Sequence, residues 1–194
     1  MKSVCAIIVI MFLSVCSIFA QSFGLKSVAA SIGKGALSSG YDINLGFSNG
    51  TNNLNIVGNH QRVYGTFSIP TGTSWLSASA SGGFFKNCPW VGPMVVVKPF
   101  PFISTVHWYG ISAGHPDQPS FTANILIVYN AVVLRVGSFS ATYAVCKFDN
   151  GHADQLPELR YDGDLNPSWN YSLSVGYTVD GEQPLFVFGL KHTF

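Results

Sequence analysis

WNYSLSVGYTVDGEQPLFVFGLKHTF, residues 169–194, is the stretch whose pattern decides the fold. Trp169, Tyr171, Leu173, Val175, Tyr177 and Val179 form one row, and Asn170, Ser172, Ser174, Gly176 and Thr178 form the other. A period of two belongs to a strand with two unlike faces. DGEQ then turns the chain into a second strand, where Phe186, Phe188, Leu190, His192 and Phe194 alternate with Val187, Gly189, Lys191 and Thr193. Chain ends are ordinarily frayed and polar, so an end this apolar needs apolar surroundings.

Alternation alone does not say which face meets the core, because a soluble sandwich also turns its apolar row inward. The residue types separate the two cases. The apolar rows here are rich in aromatics, and the polar rows are mostly Ser, Thr, Asn and Gly with few Lys or Glu, unlike a water-facing surface. A barrel with lipid outside and small polar residues inside accounts for both rows. Hydrocarbon leaves no water to satisfy backbone groups, so such a sheet must close on itself.

The same pattern recurs upstream. Tyr41, Ile43, Leu45 and Phe47 alternate with Asp42, Asn44 and Gly46 until SNGTNN, a hairpin signal. Val63, Phe67 and Ile69 alternate with Arg62, Tyr64, Thr66 and Ser68, and Leu76, Ala78 and Ala80 with serines 77, 79 and 81. Phe121, Ala123, Ile125, Ile127 and Tyr129 oppose a row that contains Thr122, Asn124 and Asn130. FGLKSVAASIGKGAL, 23–37, stays open: Leu25, Val28, Ala29, Ile32 and Ala36 fit a helical stripe that the glycines weaken. A plug, an interfacial helix and a first strand all remain for residues 21–38.

The chain has 194 residues, of which 10% are charged, and a formal net charge of +1. Ordinary soluble domains carry about 25% charged residues, and nucleic acid is excluded as a partner because phosphate contacts need a basic surface. MKSVCAIIVIMFLSVCSIFA, 1–20, has the layout of a secretory signal peptide, with cleavage expected near Ala20; a retained anchor is the alternative. Cleavage leaves Cys88 and Cys146, either as one disulfide in an oxidising compartment or as two free thiols.

The ending GLKHTF resembles the C-terminal assembly signal of Gram-negative outer-membrane β-barrels, with Gly189, His192 and Phe194 at its marked positions. His192 stands where Tyr or Phe is commoner, and Val187 where the pattern prefers a polar residue. The resemblance implies an outer-membrane location, contact with outer-membrane lipid, and recognition by the barrel-assembly machinery. The expected fold is a closed antiparallel transmembrane β-barrel over 39–194 with eight to ten strands. Ten fits the turns best: LPELRYDG, 156–163, serves as a strand, with SNGTNN, FKNCPW and HPDQPS outside and IPTG, KPFP and the turn near Gly137 inside.

Chemistry-bearing residues are sparse. In VHWYGISAGHPDQP, 106–119, a lipid-facing Trp108 would turn His107 and Tyr109 inward, where they become candidate ligand or lumen groups. Asp42 and Asn124, on polar rows, are further lumen candidates. His115 with Asp117 is a loop dyad or plain turn chemistry. The acids at 149–164 form a solvated loop or a Ca²⁺ contact to headgroups. No nucleophile elbow, P-loop, HExxH or cysteine zinc pattern occurs, so no catalytic residue, metal site or cofactor is expected. The leading function is a non-enzymatic structural protein, narrow conduit or binding protein for small solutes. The alternatives are a membrane-embedded lipid-modifying enzyme and a soluble lipocalin-like barrel with an apolar ligand.

Overall fold

The structure is a computed structural model that describes residues 23–34, 39–60, 62–85, 88–115, 118–148, 153–179 and 182–194; the expected leader, 1–20, lies outside them. The described residues form twelve strands: β1 Gly24–Lys34, β2 Ser39–Ser48, β3 Asn53–Gly58, β4 Arg62–Ile69, β5 Leu76–Phe85 and β6 Cys88–Phe100, followed by β7 Ile103–His115, β8 Gln118–Val136, β9 Phe139–Phe148, β10 Asp154–Asn166, β11 Trp169–Thr178 and β12 Gln183–Thr193. Each pairs antiparallel with its sequence neighbours, and β1 pairs with β12 to close the barrel. The sheet therefore has no free edge.

Twelve strands correct the expected eight to ten, and the two extra strands have separate causes. β1 is the segment whose assignment stayed open, so the barrel begins at Gly24 and not at residue 39. Its inward and outward residues are mostly small, which gives little contrast between rows. The other strand arises at a tight turn, where Asn59 N–H donates to Arg62 O at 2.8 Å and Arg62 N–H donates to Asn59 Oδ1 at 3.0 Å. That turn divides 53–69 into β3 and β4. It also moves SNGTNN to the end of the barrel that carries Phe194, opposite to the side expected for it. LPELRYDG does lie within a strand, β10, and Asn166 Oδ1 closes the next turn by accepting from the N–H groups of Ser168 and Trp169.

The terminal hairpin has the expected faces. Leu173 pairs with Phe188 and Val175 with Phe186, all four exposed on the outer wall, while Ser174 is buried on the inner one. β10 looks too polar to span until its parity is known: Leu159 and Leu165 point out, while Glu158, Arg160, Asp162 and Asp164 line the interior.

Around the Phe194 end, aromatic rings meet in small groups. Phe100 stacks on Phe102 at 5.7 Å, Tyr161 lies 4.9 Å from Phe139, and His192 sits between Trp169 at 4.6 Å and Phe194 at 4.5 Å. Phe194 itself is 67% exposed. Its ring is not buried in protein. Its backbone N–H donates to Lys26 O at 2.9 Å and extends the closing seam. Two glycines make room nearby. Gly33, at φ +141°, lets β12 approach where a Cβ would overlap the Phe186 carbonyl. Gly189 faces inward, and a side chain there would run into Ser172 Oγ.

Candidate functional site

The inward rows enclose a cavity of about 1030 Å³. Its charged lining comprises Arg62, Lys98, Arg135, Arg160 and Lys191 against Asp42, Glu158, Asp162 and Asp164. Lys98, Arg135, Asp164 and Lys191 each lie within two residues of a strand end at the Phe194 side. Near that mouth Asp162 takes two arginines: Arg160 Nη2 at 2.8 Å on Oδ1 and Arg135 Nη2 at 3.3 Å on Oδ2. Arg135 is 60% exposed and Arg160 47%, so these pairs are wet and contribute at most about 1 kcal/mol each.

Toward the opposite end the described inward side chains pack against one another. Tyr64, Trp90, Cys146, Leu156 and Leu185 each lie two residues from a strand end on the side away from Phe194. Trp90, Trp108 and Tyr64 pack ring to ring at 5.4–5.9 Å, with Met94 and Tyr129 against them. Ala131, Ala144, Cys146, Leu156 and Leu185 form an apolar patch that Tyr129 joins to the rings. Trp108 Nε1–H donates to Ser81 Oγ at 2.8 Å, and that hydroxyl donates to Gly92 O at 2.9 Å. The buried indole nitrogen is thus satisfied.

This packing reverses the faces expected around Trp108. Trp108 points inward and is buried, so its neighbours His107 and Tyr109 lie on the outer wall. They converge there on Asn130: its Oδ1 is 2.8 Å from His107 Nδ1 and accepts from Tyr109 Oη–H at 2.9 Å. The physical reason is that a large apolar ring suits a packed lumen as well as it suits lipid. Asp42 does line the cavity, where its carboxylate accepts from Arg62 and Asn59. Asn124 pairs with Ser112 in the β7–β8 ladder. Glu158, Asp162 and Asp164 belong to the β10 wall and not to a calcium loop, and Asp117 of the suggested dyad lies outside the described residues. Cys146 is a free, buried thiol.

Sequence reasoning left out the cavity arginines Arg62, Arg135 and Arg160. A usable signal was present: an arginine inside a membrane strand belongs on the lumen row, because the lipid row penalises it by about 2–4 kcal/mol at mid-bilayer.

No protein-family model matches the chain, and no curated protein matches it in sequence. In three dimensions it is similar to the solved KdgM porin, with a TM-score of 0.53 and 8% identity over 88% of this chain and 99% of the porin. A second structure, the KdgM porin in complex with disordered oligogalacturonate, gives 0.52 and 9% over the same shares. The likeness is one of fold.

Proposed function

We propose that this protein is an outer-membrane β-barrel that acts as a narrow, non-enzymatic conduit for small polar solutes. The observation that carries this reading is the contrast between the two walls of one closed sheet. The outer wall exposes Ile43, Val132, Leu134, Leu159, Val175 and Phe186, while the inner wall surrounds a charged cavity. An exterior of that kind favours a bilayer over the soluble ligand-binding barrel. His107, one candidate of the enzyme alternative, lies on the outer wall against Asn130, and what favours the conduit is the charged lining of the cavity. That a protein of the same fold is a porin supports transport. The chain reaches the outer membrane after leader cleavage near Ala20, contacts its lipid, and is inserted by the barrel-assembly machinery that recognises Gly189, His192 and Phe194.

Reconstitution into planar bilayers tests the conduit: discrete channels of small conductance are expected, well below those of a wide general porin. Neither conductance nor solute-driven swelling of loaded vesicles would exclude it. Deleting Phe194 should lower the yield of heat-modifiable barrel in the outer membrane. Unchanged yield would remove the assembly role.

A further inference from the structure

Arg62 is the least satisfied charge described in the barrel interior. Its side chain is 6% exposed, Nη2 lies 2.9 Å from Asp42 Oδ2, and the guanidinium sits over the Tyr64 ring at 5.6 Å. Nε and Nη1 are buried without a hydrogen-bond partner among the described residues. Donors left so cost free energy that an incoming acceptor recovers. Arg62 also lines the cavity, close to where the open lumen runs into the aromatic packing.

We propose that Arg62 is a recognition point for a compact oxyanion, of carboxylate or phosphate type, that reaches it from the Phe194 end of the cavity. The proposal deepens the conduit reading and rests on it for access. The free groups at Arg62 are donors only, which selects a ligand made of acceptors. Near the mouth, Arg135 and Arg160 share the single carboxylate of Asp162, and the positive charge left over draws anions toward the lumen. Asp42 sets the strength. It holds the guanidinium in place and is itself held by Asn59 Nδ2 at 2.8 Å, yet its charge opposes an arriving anion. Binding is therefore weak and reversible, as a solute in transit requires.

The test uses the full chain refolded in detergent micelles and titrated calorimetrically at low salt with inorganic phosphate and with acetate. Saturable binding to one site is expected, weakened by added chloride; a signal that does not saturate, or that salt leaves unchanged, would overturn the oxyanion assignment. Arg62→Lys keeps the charge but loses the planar donors, and should weaken binding by about tenfold. Asp42→Asn removes the opposing charge and should tighten it by about threefold or more. Opposite signs are the mark of a ligand site, because a purely structural ion pair would shift both variants in the same direction or neither. Should Asp42→Asn fail to fold, the neutral double variant, Arg62→Gln with Asp42→Asn, replaces it; loss of phosphate binding supports the site and retention overturns it. Conductance separates the two ideas. Binding without channels sinks the conduit and leaves the site, and channels without binding do the reverse.

Discussion

The two halves of the lumen are built from the same twelve strands and the same period of two, yet one is packed and the other is open. Away from Phe194 the inward rows carry Tyr64, Trp90, Met94 and Trp108, which pack together, and Leu185 in the apolar patch that Tyr129 joins to them. Toward Phe194 they carry Ser140, Thr142, Ser172 and Lys191, which line the cavity. The lumen of a small barrel is about as wide as two facing side chains are long. Side-chain volume on one row, and not strand geometry, therefore decides where water can go.

That comparison breaks most visibly at Trp108. Trp108→Ala removes a ring that touches Trp90 and Tyr64 and leaves Ser81 Oγ without its donor. Its cost to folding should be about 3–5 kcal/mol, read from urea unfolding in micelles, and single-channel conductance should rise. If conductance stays at the native value, the aromatic packing is not what closes that half.

A smaller effect sharpens the open half. Leu173→Arg, on the outer wall, should cost about 2–4 kcal/mol when at mid-bilayer depth, whereas Ser172→Arg, one residue away and facing the cavity, should cost below about 1 kcal/mol because there is room for it. Refolding titrations into lipid vesicles measure both. Equal penalties would mean that the inner wall is not wet.

The smallest effect concerns charge alone. Asp162→Asn takes away the carboxylate shared by two largely exposed arginines, so stability should change by less than about 1 kcal/mol. Reversal potentials across a KCl gradient should nonetheless move toward anion preference. An unchanged reversal potential would show that this group does not sense the permeating ions.

How far these features could be read in advance depended on contrast. β11 and β12 were legible because aromatic and serine rows differ strongly, and with them came the antiparallel hairpin and the expectation of closure. β1 was not, since Ser27, Ala29 and Ser31 differ little in kind from Val28 and Ala30. The turn at Asn59 was passed over although Gly58 and Asn59 are turn-favouring residues, because no strong break such as SNGTNN marks it. Of the site, Asp42 was placed on a polar row, and its partner Arg62 stood on a polar row as well without being singled out.

Trp108 marks the boundary between the two kinds of information. The chain alone determined that Trp108 lies opposite His107 and Tyr109, because neighbours in a strand point to opposite faces whatever surrounds them. Which of those faces is the inside depended on Ser81, Trp90 and Tyr64, which reach Trp108 from three other strands. Local pattern encodes alternation, and burial is settled by partners distant in sequence. The number of strands followed the same rule, since closure depends on whether β1 can meet β12, and Gly33 allows that meeting only once both strands are in place.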